Sequence, residues 1–448
     1  MTQQTQDGAQ ALIRTLEACG IEYIFGYSGG AALPIFDALE TVPHKMKFVL
    51  ARHEQGATHM ADGYARATGK PAVVLVTSGP GAGNTLTGIM TAVMDSVPMI
   101  IVSGQQVTWM LGKDAFQEAD IFGITMPVVK HSYLVKNTND LPRVVREAYH
   151  IATTGRPGPV LIDVPKNVSQ GPFTGRMDEE MDLPGYNPKQ AAQFDPASVV
   201  AIADALHKSS RPVILAGQGA MIAKAGPELL KLAETLQAPV TNTLLGKGIF
   251  PETHKLSLGM LGMHGTAYAN KAMVEADLIM SIGSRFDDRI IGKPDQFGRN
   301  ATIIHIDIDP AEVGKMIKPD IHCIGDAKAV LQELLKHVGK LDTREWLENL
   351  NGYKRKYPLA YKKHGGLEMQ HVIALLRRRR HHGLRVPRRH RRAVRPPGRD
   401  GDLHLRRRRL PDDPVRAGHG CDPQTAHQDP GAQQPLSRHG PPVAGAVL

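Results

Sequence analysis

Cysteine is scarce in this sequence. Three residues in 448 (Cys19, Cys323 and Cys421) cannot build a disulfide framework, which points to a reducing cytoplasm. No apolar run reaches the ~18 residues of a membrane span, and no charged-then-apolar leader opens the sequence. A cytoplasmic protein with no membrane partner is therefore expected. The 72 residues from Arg377 to Leu448 lack Lys, Glu, Ile, Met, Phe, Tyr, Trp and Asn altogether, while carrying 10 Pro and 7 His. Without bulky apolar residues such a segment has little to offset the entropy of ordering, so a disordered Arg/Pro-rich tail is expected.

Charge is divided the same way. The chain holds 54 basic and 44 acidic residues, a net of +10, which alone would suggest an anionic partner such as nucleic acid. But 17 Arg and 6 Asp of that total lie in the tail, leaving 37 basic and 38 acidic residues in Met1–Leu376. The body is near-neutral, so no nucleic-acid partner is expected.

Across the body, short apolar runs alternate with helical patterns, the signature of doubly wound α/β units on parallel sheets. Candidate strands are Tyr23–Tyr27, Ala72–Thr77, Met99–Ser103 and Pro159–Val164, then Pro212–Ala216, Pro239–Thr241, Leu278–Ile282 and Thr302–Ile308. Candidate helices include Asp7–Cys19, His53–Ala67 and Thr85–Ser96. The expected organisation is a first domain over 1–169, a linker over 170–195, a second domain over 196–340, a connecting segment over 341–376 and the tail over 377–448.

Three segments of the first domain suggest chemistry. Arg52-His53-Glu54-Gln55-Gly56-Ala57 puts Glu54 at a helix start, where the macrodipole favours a carboxylate for structural reasons alone. The sharper reading is a carboxylate in an apolar cleft with a raised pKa, suited to proton transfer. Ser78-Gly79-Pro80-Gly81-Ala82-Gly83-Asn84 is a Gly-rich strand-to-helix turn whose backbone can approach a ligand closely, a weak signal by itself.

Together with Gly26-Tyr27-Ser28-Gly29-Gly30-Ala31, these segments resemble the pyrimidine-binding domain of thiamine-diphosphate enzymes. DAFQEADIFGITMPVVKHSYL (Asp114–Leu134) and GRPGPVLIDVPKNV (Gly155–Val168) narrow the resemblance to acetolactate synthase large catalytic subunits, over essentially all of Met1–Leu376. Ser28 departs from the Pro usual in the family. Glu54 separates the sequence from glyoxylate carboligases, which lack an acid there, and the pyruvate oxidase branch does not share the Asp114–Leu134 run. The resemblance implies that Glu54 hydrogen-bonds N1′ of the cofactor's aminopyrimidine and promotes its activating tautomer. Pyruvate is then decarboxylated, and the two-carbon unit joins a second 2-oxo acid. It further implies that Gly29, Gly30, Pro80 and Asn84 shape the cofactor pocket, and that Phe116, Gln117 and Lys166 line the substrate approach. Lys166 alone reads equally well as a solvated loop lysine.

In the second domain, Gly217-Gln218-Gly219 follows a strand, as phosphate-binding turns do, yet a plain structural turn reads as well. His264-Gly265-Thr266, Gly283, Arg285, Asp307-Ile308-Asp309 and Asp326 complete the set. The resemblance implies that these bind a largely structural FAD, with Arg156 joining from the first domain. It also implies a homo-oligomer (dimer or tetramer), a regulatory small subunit, and Mg²⁺ held by a third domain. The Asn-Asn segment that would ligate that Mg²⁺ has no counterpart in the tail, so no metal ligand is assigned. RRRRLPDDPVRAGHG, starting at Arg406, can be encoded by DNA whose neighbouring frame reads GDAAFQMTLSELATA, a third-domain type of sequence. QQPLSRHGPPVAGAVL, starting at Gln433, behaves likewise. The expectation is a deletion near codon 377 followed by out-of-frame translation. The chain alone would then be impaired, or persist as a non-catalytic FAD-binding remnant or assembly partner.

Overall fold

The computed structural model describes residues 6–181, 183–186 and 193–359. The tail over 377–448, and part of the linker and of the connecting segment, lie outside the described residues. All the described residues fall in one compact unit.

Twelve strands form two six-stranded sheets. The first sheet contains β1 (Tyr23–Gly26), β2 (Lys47–Leu50), β3 (Ala72–Val76), β4 (Met99–Gln105), β5 (His131–Leu134) and β6 (Pro159–Pro165), in the order β2-β1-β3-β4-β6-β5. The second contains β7 (Pro212–Ala216), β8 (Val240–Asn242), β9 (Ser257–Met260), β10 (Leu278–Ile282), β11 (Thr302–Asp307) and β12 (Ile321–Ile324), in the order β12-β11-β10-β7-β8-β9. Every pairing is parallel. The expected class, two doubly wound parallel-sheet units, is the one observed.

Alternation along the strands builds the core. In the first sheet Val73, Leu75, Ile100, Val102, Val160 and Ile162 pack on one face, and Val74, Val76, Met99, Ile101 and Leu161 on the other. The second sheet repeats the arrangement: Ile214, Met280, Ile304 and Ile306 face one side, and Val213, Leu215, Ile279 and Ile303 the other. A side-chain period of two, with helices on both sides, requires strands apolar at every position. β3, β4, β6, β7 and β10 are indeed buried throughout.

The helix expected over Asp7–Cys19 spans Gly8–Ala18, with Asp7 and Gln10 forming a reciprocal capping box. That expected over His53–Ala67 spans Glu54–Thr68, with the His53 ring accepting from the Gln55 amide and Gly69 closing it at φ 72°. That expected over Thr85–Ser96 spans Leu86–Met94. The connecting segment contains the helix Arg344–Lys356, which buries Trp346 and Leu350 in the core on one face of the second sheet. Among the described residues, no helix is long and apolar enough to cross a membrane.

Strand order reverses between β1 and β3 in the first sheet, with a second reversal at β6 by the edge, and between β7 and β10 in the second. In open α/β sheets the crevice beyond the carboxyl ends of the strands at such a point is where ligands bind. Candidate residues from both sets fall there, though not all of them.

Candidate active site and nucleotide cleft

At the first reversal point the turn after β1 packs on the turn after β3. A Cβ on Gly29 would come within 2.6 Å of the Thr77 side chain, whose hydroxyl accepts from the Ala31 amide at 3.3 Å. Gly30 faces open space. Glu54 enters from the helix that follows β2. Its residue is only 9% exposed, and its Oε2 accepts from Asn84 Nδ2 at 3.0 Å. Among the described residues its Oε1 has no hydrogen-bond partner. It lies beside Gly81, where a Cβ would sit 3.2 Å away. The neighbouring Ser78 hydroxyl is likewise buried without a partner. Pro80 opens the short helix Pro80–Gly83 and is exposed.

The loop after β4 closes this turn. Gly79 adopts φ 52°, ψ −115°, and a Cβ there would collide with the Gln117 carbonyl. Gln117 itself is held at φ 55°, a conformation uncommon for a non-glycine residue. The Phe116 ring beside it is 82% exposed. Lys166 begins the short helix Lys166–Gln170 after β6. Its neighbour Asn167 exchanges hydrogen bonds with the Thr108 amide (2.8 Å) and hydroxyl (3.0 Å), tying that turn to the same loop. Glu54, Gly29, Gly30, Pro80, Asn84, Phe116, Gln117 and Lys166 thus all lie at the carboxyl edge of the first sheet.

Sequence reasoning did not find the support beneath this loop. Asp163, on β6, is 1% exposed. Its Oδ1 accepts from Ser103 Oγ at 2.6 Å, and its Oδ2 from Gln105 Nε2 at 2.9 Å. Burial pushes its pKa up to about 7, with Asp120 adding to the rise and the two hydrogen bonds opposing it. The signal available in the sequence was a carboxylate inside the apolar strand Pro159–Pro165.

At the second reversal point lies a cleft of about 460 Å³. Of the residues singled out from sequence, Arg156, Gly219, Gly283, Arg285, Asp307, Ile308 and Asp326 line it; Gly217, His264, Gly265, Thr266 and Asp309 do not. Gly217 and Gly219 pack directly on the Gly283 backbone, which leaves no room for side chains. Thr266 caps the helix Ala267–Glu275 and donates to the Leu258 carbonyl at 2.8 Å. Asp307 Oδ1 accepts from the Asp309 amide at 3.0 Å while its Oδ2 lies 3.7 Å from His305 Nε2; Asp326 Oδ1 accepts from the Ala329 amide at 3.0 Å, leaving its other oxygen for a ligand. Gln218, inside the turn singled out from sequence, lines the cleft too, and Asp95, Ser96, Thr243 and Leu244 do so without having been foreseen. Thr243 directly follows β8, so the strand-end rule could have found it.

Arg156 crosses from the first sheet's side of this cleft to the second's. It donates to Ser96 Oγ (2.8 Å), Asp309 Oδ2 (3.0 Å) and Glu312 Oε1 (2.6 Å). Burial works against its charge, but the bonds to Glu312 and Asp309 outweigh it and hold the pKa above the usual value. Lys130 steadies the loop carrying Arg156 by donating to the Thr154 carbonyl at 2.8 Å, and burial lowers its ammonium to about 8.

Residues 6–124 match the family model of the thiamine pyrophosphate enzyme N-terminal TPP binding domain, and residues 199–334 that of the thiamine pyrophosphate enzyme central domain. The chain is 48% identical over 382 residues to an acetolactate synthase large subunit of Parasynechococcus marenigrum, covering 84% of this chain and 62% of the relative. It is 49% identical over 354 residues to a probable acetolactate synthase large subunit of Methanocaldococcus jannaschii, covering 78% and 59%. For the acetolactate synthase large subunit of Lactococcus lactis the figures are 46% over 355 residues, 79% and 61%. The chain therefore spans about three-fifths of the length of the curated relatives it matches. With two sheets whose reversal points carry these turns, and with both domain models matched in order, the chain belongs to the thiamine pyrophosphate enzymes as a homologue of the acetolactate synthase large subunits.

Proposed function

We propose that the chain serves acetolactate synthase chemistry: decarboxylation of pyruvate and transfer of the two-carbon unit to pyruvate or 2-oxobutanoate, in branched-chain amino-acid biosynthesis. The observation that carries this reading is the Glu54 carboxylate, buried, held through one oxygen by Asn84 and partnerless at the other, which lies beside Gly81. That arrangement fits an aminopyrimidine. Thiamine diphosphate, when bound, would supply an electron sink for the decarboxylation. Glu54 holds a proton at N1′ of the aminopyrimidine, and Asn84 fixes the carboxylate for that bond. The Phe116 ring offers an apolar wall, while the Gln117 amide and Lys166 ammonium orient the carboxylate of the 2-oxo acid.

The second cleft fits a structural FAD by its chemistry. The Arg285 guanidinium suits phosphates, and the free oxygen of Asp326 suits hydroxyl or amide donors. For Mg²⁺, no group of three His, Cys, Asp or Glu able to hold a metal occurs among the described residues. No step is derived through it. Cytoplasmic location, homo-oligomerisation and a regulatory small subunit complete the proposal, together with the division into 1–169, 170–195, 196–340, 341–376 and an out-of-frame 377–448. Sequencing the DNA around codon 377 tests the last point.

The second reading, a flavin-binding remnant, is favoured by one fact: the flavin-type cleft is lined entirely by residues between Asp95 and Ala327, from the two sheet-bearing regions. The deciding experiment assays acetolactate from pyruvate with thiamine diphosphate, Mg²⁺ and FAD. It uses the purified chain alone, and mixed with an intact large subunit that carries Gln at its own equivalent of Glu54. Turnover that Glu54→Gln in this chain lowers roughly 10²- to 10⁴-fold supports the synthase reading. Yellow protein without turnover in either arrangement supports the remnant.

A further inference from the structure

The Phe116–Gln117 segment has no regular structure to hold it, yet Gln117 is kept in an uncommon backbone conformation. A chain of hydrogen bonds leads from the core of the first sheet to that segment. Asp163 accepts from Gln105 Nε2 at 2.9 Å; the same Nε2 donates to the Ala119 carbonyl at 2.9 Å. Gln105 Oε1 accepts from the Gln106 amide at 2.9 Å, and Gln106 Nε2 donates to the Phe116 carbonyl at 2.6 Å. The two loop carbonyls thus held, those of Phe116 and Ala119, bracket Gln117. On the other side Gly79 presses on the Gln117 carbonyl. Ser103 fills the second oxygen of Asp163. Both carboxylate oxygens are thus engaged, and burial in β6 gives the relay a fixed origin.

We infer that Asp163 is a positioning residue, setting the placement of Phe116 and Gln117 through the relay Asp163–Gln105–Ala119 and Gln105–Gln106–Phe116. Its importance for turnover rests on the proposed function; the placement itself does not. Asn at 163 preserves the relay, because its carbonyl accepts from Gln105 while its amide donates to the Ser103 hydroxyl, which turns to accept. Ala at 163 removes the acceptor and frees Gln105 to reorient.

Hydrogen–deuterium exchange on the purified full chain tests this without substrate. The loop supplies its own reporters: the Ala115 amide is bonded to Glu118 Oε2 at 2.8 Å and the Glu118 amide to the Ala115 carbonyl at 2.9 Å. Asp163→Ala should speed exchange of the 112–121 peptide by roughly five- to tenfold, the loss of about one net hydrogen bond, while β10 keeps its rate. Asp163→Asn should restore the wild-type rate. If Asp163→Ala does not fold, Gln105→Leu, similar in volume, cuts the relay at its middle and should give the same local increase. The inference is overturned by exchange within twofold of wild type in the variant that folds, by an equal rise in β10, or by Asn behaving as Ala. A failed acetolactate assay would count against the functional reading and leave the exchange result standing.

Discussion

Asp163 also has a measurable effect on stability, because its pKa stands at about 7 in the fold against an ordinary 3.8. Below pH 3.8 the group is protonated in both folded and unfolded chains and contributes no pH dependence. Between 3.8 and 7 the unfolded chain ionises while the folded one keeps its proton. The unfolded state then binds fewer protons, and stability falls as pH rises; above 7 the contribution is flat. Across the window the loss is on the order of 4 kcal/mol for a fully buried group. Urea unfolding of wild type and Asp163→Asn at pH 4.5, 7 and 8.5 isolates the effect, since Asn does not titrate. Wild type should lose ground to the variant from 4.5 to 7 and none from 7 to 8.5, whereas parallel curves would show that Asp163 ionises normally. At this scale resemblance singled out Glu54 and Asn84, and the structure brings the two into hydrogen-bond contact. The sequence was silent on Ser103, Gln105 and Asp163, whose roles come from the β4–β6 register, Ser103 against Asp163 and Gln105 against Pro165.

Elements were legible in proportion to their burial. All eight strands expected from sequence form, and the four missed, β2, β5, β9 and β12, are the four edge strands. Each has intermediate or exposed positions: Lys47 and Leu50 in β2, His131 in β5, Gly259 and Met260 in β9, His322 in β12. An edge strand covered on fewer sides has no need of the continuous apolar run by which a central parallel strand is recognised. The turns at the reversal points were found, but not their interlock. Gly79 shows its consequence. At φ 52°, ψ −115° it occupies a region that L-residues avoid, and a Cβ would strike the Gln117 carbonyl. Gly79→Ala must therefore shift the turn, the loop, or both, at a cost of roughly 1–3 kcal/mol. The expected result is lower urea stability together with faster exchange in 112–121 than in the control strand β10. An alanine variant as stable as wild type would mean that the turn and the loop do not constrain each other.

For the whole molecule, the two sheets share the cleft through Arg156. Its guanidinium bridges Ser96 on the first sheet's side to Asp309 and Glu312 on the second's, and Gln218 adds a bond to the Asp95 carbonyl at 2.7 Å. Resemblance assigned Arg156 to a flavin, whereas in this structure its hydrogen bonds go to protein carboxylates and a serine. A residue so engaged organises the cleft wall and prepares it for a ligand. Removing it leaves Glu312, whose side chain is 5% exposed, with Lys315 as its ion-pair partner at 3.1 Å. Arg156→Ala should accordingly lower stability by about 1–3 kcal/mol through the lost charged hydrogen bonds. The ligand response carries more information. If FAD occupies the cleft, saturating it a hundredfold over its dissociation constant stabilises the wild-type chain by ~2.7 kcal/mol. That gain should shrink in Arg156→Ala by more than the bare stability loss explains, because the ligand would have to order both walls itself. Calorimetric melts of both proteins, with and without FAD, read the two quantities separately. An equal FAD-induced shift in wild type and variant would reduce Arg156 to a structural clasp. No shift in either would exclude FAD as the occupant of the cleft.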